Sequence, residues 1–164
     1  LIFDMDGTIV DNMGVHNEAW AIWHARHNLP FDEATFFERT AGRHNPEIIG
    51  ALMPGKSDDE LLAYGEEKEA LCRGIYAPRV RAIDGFMDLL VDAERKGIPK
   101  AVGTAAPPGN IAVVLDALNL RPRFDTIVSP SQGFRGKPHP DMFLAAAERM
   151  KAHPAQCPAT PNRD

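Results

Sequence analysis

The sequence lacks the features that mark secreted, membrane-spanning and nucleic-acid-binding proteins. Among its 164 residues only Cys72 and Cys157 are cysteines, too few for a disulfide framework and without the spacing of metal ligands. It contains no run of about 18 apolar residues and no recognisable signal peptide. The net charge of −5 includes no basic run, which argues against nucleic acid or an anionic membrane as a partner. We therefore expect a protein of the reducing cytoplasm.

Two carboxylates stand at the end of the first predicted strand. Residues 1–3 form an apolar run typical of a buried parallel strand, and Asp4 and Asp6 follow it, with Gly7 allowing a sharp turn. Ligands of open α/β sheets bind beyond the carboxyl ends of strands. Two close carboxylates repel each other unless a cation or a proton lies between them. The pattern predicts a site for a hard divalent cation such as Mg²⁺, although an isolated Asp-x-Asp is more often a solvated loop.

The remaining chain falls into a helical part and an alternating part. Between Met13 and Val80 only helical periodicity occurs, with N-caps predicted at Asp11 or Asn12, Asp32, Asn45 and Ser57. From Asp84 onward helices alternate with short apolar strands at 101–103 and 126–128, which predicts parallel strands with right-handed crossovers. We predict an α/β fold with a Rossmann-like parallel sheet core at 1–12 and 82–164 and an inserted all-helical domain at 13–81.

Three segments resemble the motifs of the haloacid dehalogenase-like phosphohydrolases. They are residues 3–8 (Phe-Asp-Met-Asp-Gly-Thr), residues 100–106, a strand that ends in Thr, and residues 136–143, in which a Lys precedes Pro-x-Pro and a helix. Their order and spacing, together with residues 11–20, are similar to the β-phosphoglucomutase-like branch. The resemblance extends to about Cys157 and implies Mg²⁺-dependent phosphoryl transfer, with residues 13–81 as a cap domain that closes over the active site.

The resemblance implies a role for each residue of the core. Asp4 is the nucleophile that forms an aspartyl phosphate, and Asp6 is the general acid and base. Mg²⁺ is held by the Asp4 carboxylate and the Asp6 main-chain carbonyl. Thr104 offers its hydroxyl and Ala105 its backbone N–H to a phosphoryl oxygen, while Lys137 opposes the negative charge of phosphate and nucleophile. Outside these motifs, Thr104 would be read as the end of a strand and Lys137 as a solvated lysine.

Three residues of the helical domain match substrate-binding positions of the same branch. His16 matches a hinge His that assists proton transfer with sugar hydroxyls, with an exposed helical His as the alternative. Arg43 is a candidate for binding a second phosphate or a sugar. Lys68 resembles a cap Lys, although its acidic neighbours equally favour a solvated helix face. His24 and His27 lie one turn apart, but no acidic or Cys partner stands nearby in the sequence, which disfavours a metal site there.

We predict a hydrolase of small phosphosugars, with β-phosphoglucomutase as the alternative that returns the phosphoryl group to sugar. Dehalogenation is disfavoured because Asp6 would have no role in it. The expected partner is a small phosphorylated metabolite such as a sugar phosphate, with no nucleic acid and no membrane. The complete protein is expected to be a monomer.

The end of the sequence departs from the family pattern. After Cys157 the family continues into an apolar strand that ends in acidic residues, its fourth motif. Residues 158–164 are instead a Pro-rich polar tail, which does not suit a central strand. We therefore expect either a fragment that is clipped at both ends and lacks its last strands, or a chain whose tail is out of frame. For the function, a third alternative is an inactive truncated chain with at most a binding role.

Overall fold

A computed structural model describes residues 1–40, 43–135, 137, 139–157 and 159–160. The chain divides into two compact units, Leu1–Met13 with Arg79–Asp164, and Gly14–Pro78, which we call the sheet unit and the helical unit. Among the described residues, no helix combines the length and the apolar character that crossing a membrane requires. The helices and strands in chain order are β1 Ile2–Phe3, α1 Met13–Arg26, α2 Glu33–Thr40, α3 Asn45–Leu52, α4 Asp58–Tyr76, α5 Phe86–Arg95, β2 Ala101–Gly103, α6 Pro108–Ala117, β3 Thr126–Val128, α7 Asp141–Arg149 and β4 Ala159–Thr160.

The sheet has the order β3-β2-β1-β4, and every pair of neighbouring strands is parallel. Its strands are short apolar runs because both faces of a parallel sheet are covered. Helix α7 packs on the sheet, and a Cβ added at Gly103 would lie 3.4 Å from atoms of Ile2 and Phe143, so only a very small residue suits that contact. Phe3 is paired with Val102 in the ladder, and the carboxyl ends of β1 and β2 therefore lie side by side.

The tail contributes a strand that the sequence did not predict. Ala159 and Thr160 pair in parallel register with Ile2 and Phe3, so the expectation that no strand follows Cys157 is wrong for these two residues. A proline interrupts a ladder because it has no N–H, yet two residues between Pro158 and Pro161 suffice for a minimal edge strand. Residues 161–164 lie outside the described part of the chain.

The helical unit packs around its own aromatic core. Trp20 and Trp23 of α1 are buried against Phe36, Ile48 and Ile49.

The predicted N-caps Asp32 and Ser57 are confirmed. The Asp32 carboxylate accepts a hydrogen bond from the Ala34 N–H at 3.2 Å. The Ser57 hydroxyl accepts the Glu60 N–H at 3.3 Å, and the Glu60 carboxylate accepts the Ser57 N–H at 2.9 Å. Satisfying these otherwise unpaired N–H groups defines where α2 and α4 begin.

Two asparagines predicted as N-caps, Asn12 and Asn45, do not cap their helices, because their side-chain amides bond carboxylates elsewhere. Helix α1 begins at Met13, but the Asn12 side chain donates to Asp6. Helix α3 has His44 as its N-cap, and Asn45 is its first residue, with an amide that donates to Glu69. In both cases the asparagine amide bonds a carboxylate that does not belong to the helix terminus. The residues next to each asparagine in the sequence do not reveal that carboxylate.

Candidate active site

Asp4 is a buried carboxylate at the carboxyl end of β1. Only 3% of the residue is exposed. Its Oδ1 accepts the Met5 N–H at 2.9 Å, and its Oδ2 accepts the Lys137 ammonium at 2.5 Å. A buried charge is tolerated when it is paired and hydrogen-bonded, and both conditions hold here.

Lys137 reaches Asp4 from the segment between β3 and α7. Its side chain is 36% exposed, and its Nζ lies 5.8 Å from the centre of the Phe143 ring. The two flanking residues of the predicted third motif, Gly136 and Pro138, lie outside the described part of the chain. The structure brings Lys137 and Asp4 together as the resemblance implied, with a half-exposed ammonium beside a buried carboxylate.

Thr104 and Ala105 lie at the carboxyl end of the neighbouring strand β2. Thr104 is fully buried, donates its N–H to the Val128 carbonyl at 3.1 Å and accepts the Ala106 N–H on its hydroxyl, also at 3.1 Å. The hydroxyl proton is then available to donate. Ala105 is exposed, and within the described residues its N–H has no hydrogen-bond acceptor. Of the two N–H groups that follow Thr104, the one at Ala105 is therefore the one available to an anion.

Asp6 lies at the start of a tight loop that is closed by backbone hydrogen bonds. Gly7 has a positive φ of 74°, and its N–H donates to the Val10 carbonyl at 2.8 Å. This folds the chain back, and the Asn12 amide nitrogen reaches Asp6 Oδ1 at 2.6 Å. The sequence analysis missed Asn12 as a partner of Asp6. Two residues that are six positions apart on either side of a glycine turn have no fixed distance between their side chains, so the sequence does not predict the contact.

His16 and Lys68 meet in a buried cluster of the helical unit, which we call the Lys68 cluster: His16, Trp20, Asn45, Lys68, Glu69 and Cys72. The Lys68 ammonium donates to His16 Nδ1 at 2.8 Å and to Glu69 Oε1 at 2.9 Å, and it lies 5.3 Å from the Trp20 ring. Lys68 is only 2% exposed, so the alternative of a solvated lysine is wrong. Asn45 donates to the same Glu69 oxygen at 2.8 Å. The sequence analysis missed Glu69 and Asn45.

Burial and the Lys68 ammonium together determine the charge states in this cluster. Burial, and to a smaller extent the nearby Lys68 ammonium, lowers the pKa of His16 to about 4. His16 is therefore neutral at pH 7. Burial alone would raise the pKa of Glu69, but Lys68 and the Asn45 hydrogen bond outweigh it and hold that pKa below its usual value. The result is an ion pair beside a neutral imidazole.

His16, Glu69 and Cys72 offer ligand atoms within 4.8 Å of one another, which is compatible with a metal ion. The Lys68 ammonium, however, lies within hydrogen-bonding distance of the first two. An internal cation thus already compensates the carboxylate, and this group differs from the predicted Mg²⁺ site at Asp4 and Asp6.

Three further candidates belong to the helical unit, and one of them, His24, contacts the Lys68 cluster through Trp20. Arg43 is exposed and lines a cavity with Arg39. His24 donates from Nδ1 to the Trp20 carbonyl at 2.8 Å, and His27 bonds Glu67 through Nε2 at 2.9 Å. His27 therefore has an acidic partner that the sequence analysis did not find, 40 residues further along the chain.

These observations define an α/β protein with a buried carboxylate at a strand end and the Lys137 ammonium beside it. The family model of the haloacid dehalogenase-like hydrolases matches residues 1–158, and the chain belongs to that family. The predicted family and fold class are confirmed, and the chain is an enzyme of the phosphatase and phosphoglucomutase kind.

Individual relatives fall in the same group. The chain is 30% identical to the validoxylamine A 7'-phosphate phosphatase of Streptomyces hygroscopicus subsp. limoneus, over 94% of this chain and 72% of the relative. It is 31% identical to the fructose-1-phosphate phosphatase YqaB of Escherichia coli, over 96% of this chain and 82% of the relative. The solved β-phosphoglucomutase of Clostridium difficile matches with a TM-score of 0.81 at 25% identity, over 96% of this chain and 73% of that one.

Proposed function

We propose that the protein is a Mg²⁺-dependent phosphomonoester hydrolase that acts on small phosphosugars through an aspartyl-phosphate intermediate at Asp4. The observation that carries this proposal is the geometry of Asp4: a carboxylate at a strand end, 3% exposed, with one oxygen 2.5 Å from the Lys137 ammonium. A buried carboxylate with its charge compensated is positioned to attack phosphorus without repelling the anionic substrate.

In the first step, an Asp4 oxygen forms a bond to phosphorus while the bond from phosphorus to the sugar oxygen breaks. The departing oxygen takes a proton from Asp6, so a neutral sugar hydroxyl leaves. The Thr104 hydroxyl, the Ala105 N–H and the Lys137 ammonium stabilise the charge on the phosphoryl oxygens during the transfer.

In the second step, Asp6 removes a proton from a water molecule as the oxygen of that water bonds to phosphorus. The bond between phosphorus and the Asp4 oxygen then breaks, which restores the Asp4 carboxylate and releases inorganic phosphate. Asp6 ends the cycle protonated, ready for the next sugar oxygen.

The donor atoms at the strand end fit a hard cation. The Asp4 carboxylate and the Asp6 main-chain carbonyl are oxygen ligands of the kind that Mg²⁺ prefers. When bound, Mg²⁺ would neutralise charge on the transferring phosphoryl group and help to orient it.

For the substrate, we propose that His16 donates a hydrogen bond to an oxygen of the sugar. Its Nδ1 accepts from Lys68, and the ring is neutral, so its proton resides on Nε2. The helical unit would in this way act as the cap domain that the resemblance implies, with Lys68 maintaining the tautomer of His16. The named relatives, phosphatases of a validoxylamine phosphate and of fructose 1-phosphate, support a polyhydroxylated monophosphate as the substrate class.

The test is a phosphate-release assay on a panel of sugar monophosphates with Mg²⁺, combined with mass spectrometry of the acid-quenched protein. We expect turnover of at least one sugar phosphate and a phosphoryl adduct on the peptide that contains Asp4. Turnover with no adduct on Asp4 under single-turnover conditions would contradict the covalent mechanism. Binding without any turnover would instead favour the inactive alternative.

β-Phosphoglucomutase is the second candidate, favoured by the likeness to the solved enzyme of that name. It would use the same Asp4 and Asp6 but return the phosphoryl group to a sugar hydroxyl. Incubation with β-glucose 1-phosphate separates the two functions, because a mutase yields glucose 6-phosphate and a phosphatase yields glucose and inorganic phosphate.

A further inference from the structure

We infer that Asn12 is the positioning residue of Asp6, the general acid and base of the reaction above; the inference rests on that proposed function. The Asn12 Nδ2 lies 2.6 Å from Asp6 Oδ1, and both residues belong to the sheet unit. Hydrogen bonds from an amide to an ionised carboxylate are stronger and more directional than those between neutral groups. The contact therefore restrains the rotation of the Asp6 carboxyl group.

The Oδ1 atom of Asn12 shows that the side chain is oriented for the hydrogen bond to Asp6 and does not cap the adjacent helix. Asn12 is 4% exposed, and within the described residues its Oδ1 is buried without a hydrogen-bond donor. A residue just before a helix usually uses that oxygen to accept a helix N–H, as Asp32 does for Ala34. Leaving a buried acceptor unsatisfied is unfavourable, because the oxygen loses its hydrogen bonds to water without a replacement. The side chain is thus held in a conformation that its own helix does not favour.

The loop between the two residues gives the contact its precision. The Met5 carbonyl accepts the N–H groups of Ile9 and Val10 at 2.9 and 3.1 Å, and Gly7 bonds back to Val10. These backbone bonds, all within one short loop, set the position from which Asn12 reaches Asp6. A catalytic group needs such a supported geometry, since a displacement of about 1 Å can cost a hundredfold in rate.

An amide N–H can only donate, so Asn12 assigns Asp6 Oδ1 the role of acceptor. The proton that Asp6 passes to the sugar oxygen is then carried on Oδ2. Loss of Asn12 should impair the step in which the leaving oxygen is protonated and should have little effect on a leaving group that needs no proton.

The test compares kcat/KM for a sugar phosphate with kcat/KM for 4-nitrophenyl phosphate, whose leaving group departs without a proton. The variants are Asn12→Leu, which keeps the size but not the amide, and Asn12→Ser, which keeps a shorter donor. We expect Asn12→Leu to lose ten- to hundredfold with the sugar phosphate and at most threefold with the aryl phosphate, and Asn12→Ser to lose less. Positioned proton transfer contributes about 10²–10⁴ to rates, so a partial loss falls in this range.

Asn17→Leu is the matched control, because Asn17 also donates its amide to a carboxylate, Glu33, at 3.0 Å in the helical unit. It should leave the ratio of the two kcat/KM values unchanged. Equal losses of Asn12→Leu on both substrates, or no loss on either, would overturn the inference while leaving the proposed function intact. Failure of the proposed function is recognised separately, by an unmodified protein that releases phosphate from neither substrate.

A second readout does not depend on turnover. In ¹⁵N-labelled protein, the Asn12 side-chain amide, assigned by its loss in Asn12→Ser, should exchange slowly with solvent, and it should exchange at least tenfold faster in Asp6→Ala. An Asn12 amide that exchanges equally fast in both proteins would show that the hydrogen bond to Asp6 does not hold it.

Discussion

The Lys137 ammonium lies 2.5 Å from Asp4 Oδ2, although 133 residues separate the two in the sequence. The pair joins the end of β1 to the segment before α7, so the folded sheet, rather than any local motif, creates it. Lys137 compensates the charge of the Asp4 carboxylate in the resting protein, and in the proposed mechanism it also compensates the phosphoryl group during transfer.

Replacing Lys137 by alanine should lower kcat/KM on the order of 10²–10³-fold, because an ammonium in a partly desolvated site stabilises the charge of the transition state. Saturating Mg²⁺ should not restore the rate. Lys96→Ala is the control, since Lys96 pairs with Asp92 on the surface at 2.6 Å and should leave kcat/KM unchanged. A loss below about threefold in Lys137→Ala would show that the third motif has been misread.

Replacing Asp4 by asparagine should abolish turnover without unfolding the protein. The change is nearly isosteric, and it leaves the Lys137 ammonium in a position that is 36% exposed and thus accessible to solvent. Circular dichroism and thermal unfolding should show a folded protein, while phosphate release falls to background. More than trace activity would contradict the assignment of Asp4 as nucleophile.

Asp6→Asn is expected to fail differently. Asp4 is intact in this variant, so a substrate with a good leaving group should still phosphorylate it, but water would no longer be activated. Mass spectrometry after incubation with 4-nitrophenyl phosphate should show a longer-lived phosphoryl adduct than in the unmodified protein. An adduct that decays at the unmodified rate would exclude Asp6 as the base.

The ion pair between Lys68 and Glu69 should be costly to break from either side. Lys68→Met and Glu69→Leu should each lower the free energy of unfolding by about 3–5 kcal/mol, because each leaves a buried charge without its partner. The double variant should lose less than the sum of the two, since it leaves neither charge behind. Urea unfolding measures all three. Additive losses would indicate that the pair is not coupled in solution.

Acid should destabilise the protein through His16. The folded pKa of about 4 lies below the ordinary value of 6.5, so between these pH values the unfolded chain binds more protons. The free energy of unfolding should therefore fall as the pH drops from about 6.5 to about 4, by on the order of 3 kcal/mol from this group.

His16→Gln should flatten that part of the pH dependence. Burial also lowers the pKa of His24, and His16 is not among the groups that shift it, so this contribution is the same in the variant. The pKa of Glu69 is held below its usual value chiefly by Lys68 and Asn45, which the variant keeps, so Glu69 adds its loss of stability only at lower pH. The difference between the two thermal unfolding profiles from pH 7 to pH 4 therefore isolates His16. Parallel profiles would mean that His16 is not buried as a neutral ring.

Much of the candidate site could be predicted where a short motif and a strand end coincide. The strands at 101–103 and 126–128 were predicted with the bounds that the structure shows, and Asp4 and Thr104 follow apolar runs directly. The two-residue strand Ala159–Thr160 could not be predicted, because its pairing with β1 arises from tertiary contact and not from its own composition.

The family, the α/β class and the residues of the proposed chemistry can be predicted from the sequence, because they depend on short motifs and on the periodicity of apolar residues. Which polar groups meet depends on how the chain folds: Asn12 with Asp6, Lys137 with Asp4, and Lys68 with His16 and Glu69. The sequence predicts Asn12 and Asn45 as helix caps, but in the folded chain their amides donate to the Asp6 and Glu69 carboxylates instead. A side-chain amide bonds whichever acceptor folding brings within about 3 Å, and that distance depends on the packing of the whole unit rather than on neighbouring residues in the sequence.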